Sequence, residues 1–199
     1  MSQNFIAYFT EKAGLTKQEL QLLEPYFNES FYKKGTVLLK QGEVCQHIFF
    51  IEKGLLRAYT LDDNGKEHII QFATENWFIS DRSSVFFNEE SGFYIEAVED
   101  SQVVMLHRDF TQKAAQLSVN FQQYNERLLQ THIHQLQSRI NLLLGASAED
   151  RYLNFINLYP DLLLRVPQWM IASYLGITPE GLSRVRKELA RKNFNPSKN

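Results

Sequence analysis

Residues 168–187, QWMIASYLGITPEGLSRVRK, decide how this chain is read, because they spell two short helices joined by a tight turn. Ala172 falls where the first helix must approach the second, and Gly176, four residues on, supplies the positive φ that such a turn requires. Ile171, Leu175, Ile177, Leu182 and Val185 are spaced so that both helices bury one face in a shared core. Thr178 is a sound N-cap and Pro179 suits the first helical position, so the second helix has a defined start. Glu180, Gly181, Ser183, Arg184 and Lys187 are left facing outward. Short and charged groups near a helix N-terminus are what a recognition helix offers to base edges in the major groove. Any two amphipathic helices with a glycine between them share part of this pattern. The Ala-to-Gly offset, the five apolar positions and the Thr-Pro start together specify a DNA-binding helix-turn-helix.

Charge is distributed to match. The 199 residues carry a net charge of −2, which by itself does not suggest a DNA binder. From residue 165 onward, however, 7 Lys and Arg face only 2 Asp and Glu, and the acidic excess lies in the rest of the chain. A basic segment confined to the two helices is what a phosphate-contacting face requires. With 44% hydrophobic and 22% charged residues the composition is that of a globular protein with a full core. No apolar run approaches a membrane span, and the N-terminal MSQNFIAYFTEK lacks a basic segment ahead of a long apolar one. A cytoplasmic protein with no membrane partner is expected. The single cysteine, Cys45, excludes an internal disulfide framework and a four-thiolate cluster within one chain.

Ahead of the helix-turn-helix the pattern changes twice. Residues 4–27 read as a helical lead-in, with a capping box at Thr16–Glu19 and an apolar stripe of Leu15, Leu20, Leu22, Leu23 and Phe27. From residue 30 to about 108, short runs rich in β-branched and aromatic residues predict strands at 37–40, 48–52, 55–61, 67–73, 93–98 and 102–107. Turns fall at Lys34-Gly35, Gln41-Gly42, Lys53-Gly54 and Asp62-Asp63-Asn64-Gly65. Strands at this spacing imply an antiparallel barrel or jelly roll. Residues 110–145 return to helix, with Phe121, Tyr124, Leu128, Leu136, Ile140 and Leu143 as a narrow apolar stripe. Such a stripe either packs on the chain's own barrel or pairs with a second copy; pairing is favoured, because helix-turn-helix proteins need two half-sites for register. Gly145 reads as a hinge, and the capping sequence at Ser147 opens a further helix to about Leu158, stopped by Tyr159-Pro160.

A glycine-punctuated barrel, a long helix and a C-terminal helix-turn-helix, in that order, resemble the Crp/Fnr family of bacterial transcription regulators. Lys34-Gly35 through Gln41-Gly42-Glu43, Ile51-Glu52-Lys53-Gly54, Asn64-Gly65-Lys66-Glu67 and the helix-turn-helix carry the resemblance, which covers nearly the whole chain. It implies an α+β fold: an antiparallel β jelly-roll sensor domain over 1–115, a dimerisation helix over 116–145, and a helix-turn-helix DNA-binding domain over 146–199 of the winged type. The wing is expected to be short or absent, because the sequence ends soon after Arg191-Lys192-Asn193-Phe194. The implied partners are double-stranded DNA, a second copy of the chain and, as a further candidate, RNA polymerase.

In the cAMP-binding members of that family a Gly-Glu pair opens a short helix and an Arg-Ser/Thr-Ala follows. There the arginine neutralises the cyclic phosphate and the glutamate accepts from the ribose hydroxyl. This chain departs at both places: Phe78-Ile79 leads into Ser80-Asp81, and Ser91-Gly92-Phe93 stands where the arginine triplet belongs. Asp81 remains a candidate for the ribose and Arg82 for the phosphate, so the candidate effector pocket is Phe78, Ser80, Asp81, Arg82, Ser91 and Phe93. Phe72, Trp77, Phe86 and Phe87 would make its surroundings apolar. Binding of cAMP is not expected, and no other effector is named by the residues. The five histidines offer no pair with the spacing of haem or metal ligands, so no cofactor and no metal are expected.

On the recognition helix, Glu180-x-x-Ser183-Arg184 matches the pattern by which the family reads its half-site. Glu180 suits cytosine N4, Arg184 suits guanine O6 and N7, and Ser183 suits a base or a phosphate. Thr178 starts the helix and counts with Glu180, Ser183, Arg184, Arg186 and Lys187 among the candidate DNA-binding residues; Arg186, Lys187, Arg191 and Lys192 suit phosphates or solvent. Gly181 departs from the family, and it weakens a helix by about 1 kcal/mol relative to alanine. A second function class is a ligand-binding or protein-interaction module that has lost specific DNA binding; Gly181 and the short end of the chain motivate it. A cupin-type enzyme would need clustered His and Glu, and His47 and His68 lack that company; with no nucleophile motif either, no catalytic residue is expected.

Overall fold

The first helix, α1 (Gln3–Ala7), starts over a buried carboxylate. Glu52 accepts from the backbone N–H of Asn4 at 2.9 Å and of Phe5 at 2.8 Å. An anion at the unpartnered donors of a helix start is favoured by hydrogen bonding and by the helix dipole together. The computed structural model describes residues 2–194, in two compact units, Met1–Thr131 and His132–Asn199.

In the first unit a π-helical turn, Tyr8–Lys12, continues α1; α2 (Lys17–Leu22) and a 3-10 turn, Glu24–Tyr26, follow. The capping box is closed from both sides: Thr16 Oγ1 accepts from the Glu19 N–H at 3.2 Å, and the Glu19 carboxylate accepts from the Thr16 N–H at 2.7 Å. The lead-in is therefore not one helix over 4–27. It breaks at Gly14, and Phe27 already belongs to a strand. Leu15, Leu20 and Leu23 are buried as the stripe requires, but Leu22 is exposed. Leu20 and Leu23, three apart, share a face, whereas Leu22 points elsewhere.

Among the described residues the barrel has strands β1 (Phe27–Tyr32), β2 (Val37–Leu39), β3 (His47–Lys53), β4 (Leu56–Leu61), β5 (Glu67–Ala73), β6 (Phe78–Ile79), β7 (Tyr94–Ala97) and β8 (Ser101–His107). They form two four-stranded antiparallel sheets, ordered β1-β8-β3-β6 and β2-β7-β4-β5. The six expected strands are present with ends shifted by a residue or two. Two were missed for physical reasons: β1 is an edge strand, with Asn28, Glu29 and Ser30 in place of an apolar run, and β6 is too short to show a period. The β4–β5 hairpin closes on Asp62, whose carboxylate accepts from the N–H groups of Asn64 (2.9 Å) and Lys66 (3.0 Å).

An aromatic cluster joins the lead-in to the barrel. Phe9 lies 5.2 Å from Phe110, 6.2 Å from Phe121 and 6.4 Å from Phe50, ring centre to ring centre. Edge-to-face, tilted and stacked pairs of this kind add to the burial of large apolar area. The helical segment after β8 is also two elements rather than one. α4 (Phe110–Leu117) ends at Ser118, whose hydroxyl accepts from the Phe121 N–H at 3.3 Å and so restarts the chain as α5 (Val119–Gly145). The apolar stripe divides in the same way. Phe121 is buried and Tyr124 packs on the barrel's core, its hydroxyl bonded to that of Tyr8. Ile133, Leu136, Ile140 and Leu143 are instead 49%, 49%, 54% and 41% exposed.

The second unit takes the rest of α5 and four further helices among the described residues: α6 (Ala148–Leu158), α7 (Leu162–Arg165), α8 (Gln168–Leu175) and α9 (Pro179–Phe194). Ser147 caps α6 by accepting from the Asp150 N–H at 3.1 Å. The division between the two compact units falls inside α5, at Thr131–His132.

Gly54, between β3 and β4, has φ +106°, and a Cβ there would stand 2.7 Å from the Cα of Ser101. Backbone cannot retreat as a flexible side chain can. Gly54→Ala is expected to lower the unfolding free energy by about 2–4 kcal/mol, through left-handed strain plus overpacking. Urea unfolding measures this, and an unchanged midpoint would contradict the close approach.

Candidate functional site

Two places carry candidate chemistry, and each lies within one unit. In the second unit, α8 ends on Gly176 at φ +65° and ψ +36°, the left-handed cap that turns the chain into α9. Ile171, Ala172, Leu175, Leu182 and Val185 are buried and Ile177 is half-buried, so the expected shared core forms. Met170 and Tyr174 are buried as well; the spacing argument missed them because α8 is covered on more than one face. Thr178 Oγ1 accepts from the Gly181 N–H at 3.1 Å and fixes where α9 starts.

Glu180, Ser183, Arg184, Arg186 and Lys187 are all exposed. Ser183, Arg184 and Lys187 lie three, four and seven residues after Glu180 and make one stripe with it, while Arg186 lies to its side. The Glu180 carboxyl sits below the usual carboxylate range, held first by its own backbone N–H and then by the Thr178 hydroxyl. It is an ionised acceptor at neutral pH. Lys192 is not free for phosphates: its Nζ is paired with both oxygens of Glu149 in the first turn of α6, at 2.7 and 2.8 Å. The expectation of a short or absent wing falls after residue 194, outside the described residues.

In the first unit, Asp81 is 4% exposed and caps α3 (Arg82–Phe87). Its Oδ1 accepts from the Ser83 hydroxyl at 2.8 Å and the Ser84 N–H at 3.2 Å. Its Oδ2 accepts from the Ser91 hydroxyl at 3.0 Å and the Gly92 N–H at 3.2 Å. Burial works to raise the Asp81 pKa, but these four donors outweigh it and hold the carboxyl below its ordinary value. Ser84 is buried in turn, accepting from the Cys45 N–H at 2.6 Å.

The structure thus brings Asp81, Ser91 and Gly92 together, with half-buried Phe93 beside them. Ser80 is half-buried in the segment leading from β6 to Asp81. Phe78 belongs to the aromatic cluster, 5.1 Å from Phe50 and 5.3 Å from Tyr8. Arg82 does not join the group: it is exposed, with its guanidinium over the ring of Phe86 at 4.7 Å. Phe86 and Phe87 are exposed, whereas Phe72 is fully buried and Trp77 half-buried. Sequence reasoning also missed an ion cluster around the buried Arg57 of β4, which bonds half-buried Glu67 and reaches half-buried Glu96 at 2.8 Å. Its signal was a lone arginine in an apolar strand. Among the described residues no group of three or more His, Cys, Asp and Glu is placed to hold a metal ion.

Residues 29–117 match the model of the cyclic nucleotide-binding domain. The chain is 26% identical over 189 residues to the anaerobic regulatory protein of Pasteurella multocida, covering 89% of this chain and 68% of that one. To the fumarate and nitrate reduction regulatory protein of Yersinia pestis it is 26% identical over 173 residues, 81% of this chain and 68% of that one. Over most of its length the chain is thus similar to regulators of the Crp/Fnr type. Its fold recurs in FixK2 from Bradyrhizobium japonicum, with a TM-score of 0.69 at 22% identity over 84% of this chain and 86% of that one. An antiparallel β core, a long helix and C-terminal helices follow in order, as in Crp/Fnr structures. Among the described residues no helix is long and apolar enough to cross a membrane.

Because the folded pKa of Asp81 is depressed, its stabilisation is full above the ordinary value of 3.8 and is lost as the pH falls through the lower folded value. Asp81→Ala is expected to cost about 2–3 kcal/mol at pH 7, since it orphans buried donors. The gap between mutant and wild type should narrow in denaturant titrations below about pH 4. A gap independent of pH would contradict a charged Asp81.

Proposed function

We propose that this protein is a dimeric, sequence-specific transcription regulator that reads DNA with α9 and does not take cAMP as its effector. The stripe of Glu180, Ser183, Arg184 and Lys187, projecting from a helix with a fixed start, carries the reading. Arg184 can take guanine O6 and N7 together, Glu180 can accept from cytosine N4, and Ser183 reaches a base or a phosphate. Arg186 and Lys187 serve phosphates, and the basic excess after residue 165 adds the salt-dependent attraction that any DNA binder needs. In functional terms residues 1–115 are the effector barrel, 116–145 the pairing helix and 146–199 the DNA reader. DNA, a second copy and RNA polymerase are the partners, and the cytoplasm is the place of action. No catalytic residue is assigned.

Two further observations support the finer parts. Ile133, Leu136, Ile140 and Leu143 recur at intervals of three, four and three, the seam of a two-stranded coiled coil. At the barrel, the donors that would close on a cyclic phosphate already hold the Asp81 carboxylate, and Arg82 is turned away over Phe86. A phosphate brought there would face a buried like charge rather than a counter-ion.

Selection from a random DNA pool with no added effector is expected to enrich a two-fold-symmetric site. On that site Arg184→Ala should weaken binding by about 1–3 kcal/mol and relax preference at one base position. Lys187→Ala should weaken all sequences alike and lower the salt slope by about one. Wild-type binding that is weak and blind to sequence would favour the module without specific DNA binding instead.

A further inference from the structure

Arg139 of α5 holds the end of α8. The guanidinium carbon of Arg139 stands 3.6 Å from the centre of the Tyr174 ring, and Nη2 donates to the Tyr174 carbonyl at 3.0 Å. Tyr174 is the penultimate residue of α8, so its carbonyl is among those a helix leaves without an internal partner, where a cation also meets the negative end of the dipole. The ring is buried and wedged against two rings of the α6 segment, Phe155 at 5.4 Å and Tyr159 at 5.8 Å. One turn further along α5, Leu143 lies under the tight turn: a Cβ at Gly176 would stand 3.5 Å from its Cδ2. Arg139 and Leu143, four apart on one side of α5, thus grip the end of α8 and the turn after it.

Grip on α8 is grip on α9. The two helices share the core of Ile171, Leu175, Leu182 and Val185, so the direction of one sets the direction of the other. An arginine is suited to this as a lysine is not, because its planar fork can lie on a ring while one edge N–H donates to a carbonyl. We propose that Arg139 is the positioning residue that fixes the spacing of the two recognition helices in the DNA-bound dimer. The proposal rests on the dimeric reading above. With α5 paired along the row from Ile133 to Leu143, the register of that pair and the Arg139 clamp together define where each α9 points. Arg139 acts through Tyr174 and touches no base.

The test holds the half-site fixed at the sequence wild type enriches and lets the length of the spacer between half-sites vary. Wild type should select one spacing. Arg139→Gln should keep the same half-site bases, spread its selection over neighbouring spacings, and bind the wild-type spacing about tenfold less tightly, the order expected for a cation–π contact plus one hydrogen bond. Arg139→Lys, which keeps the charge, should fall between them. Arg184→Ala should lose base preference with its spacing intact. Leu162→Ala, in the buried core of the same unit, controls for lost stability. A sharp wild-type spacing in Arg139→Gln, or an equal spread in Leu162→Ala, would overturn the proposal. Should wild type enrich no two-fold site, the dimeric reading fails and the positioning role falls with it. Whether the clamp itself exists is then read from melting curves of Arg139→Gln, Tyr174→Leu and the double variant, where strictly additive shifts would deny it.

Discussion

One helix answers to two cores. At its start α5 is held by Phe121, buried among the aromatic rings of the barrel, and by Tyr124, bonded through its hydroxyl to Tyr8. Beyond residue 131 the same helix belongs to the unit that carries the helix-turn-helix, gripping it through Arg139 and Leu143. What α5 then leaves uncovered is the row of Ile133, Leu136 and Ile140, with Leu143 at its end still 41% exposed, too regular for scattered surface apolars and too narrow to form a core alone. The proposed regulator follows from that division. Pairing along the row would place two DNA readers on one axis, and an effector with different affinity for two registers of the pair would shift their populations.

The start of α3 carries its own negative charge, because Asp81 caps it. Asp81 satisfies the N–H groups of Ser84 and Gly92 and two serine hydroxyls, so the local structure needs no ligand to be complete. Its cost of burial is met by hydrogen bonds rather than by a counter-charge, which is why Arg82 is free to lie over Phe86 at the surface. The domain keeps its architecture because the jelly roll is held by alternating core residues such as Leu56, Ala58, Ile95 and Ala97, none of which depends on the pocket.

The sequence made most of this legible where a local rule had one solution. Gly176, Thr178 and the apolar spacing from Ile171 to Val185 defined the helix-turn-helix, and the β4–β5 hairpin followed from Asp62 and Gly65. Legibility failed where a residue's role depends on distant partners. Strand β1 looks polar because it is an edge, Lys192 also pairs with Glu149 from another helix, and Asp81 also caps α3, neither of which the sequence announces. The break at Ser118 was hidden because serine is tolerated within helices as well as at their starts. Ile133 was passed over because the apolar stripe was followed from Phe121 as one track, whereas burial divides it into a barrel side and an exposed seam.

The claim on which the account turns is that this seam is covered by a second copy of the chain. Sedimentation equilibrium of the purified protein, with Ile140→Glu beside it, tests that directly. A charge at the centre of an apolar seam loses most of the seam's free energy, while an exposed position leaves the folded chain intact. The account predicts a dimer at micromolar concentration for wild type and a folded monomer for Ile140→Glu. A monomeric wild type, or a dimer that the substitution does not disturb, would contradict it.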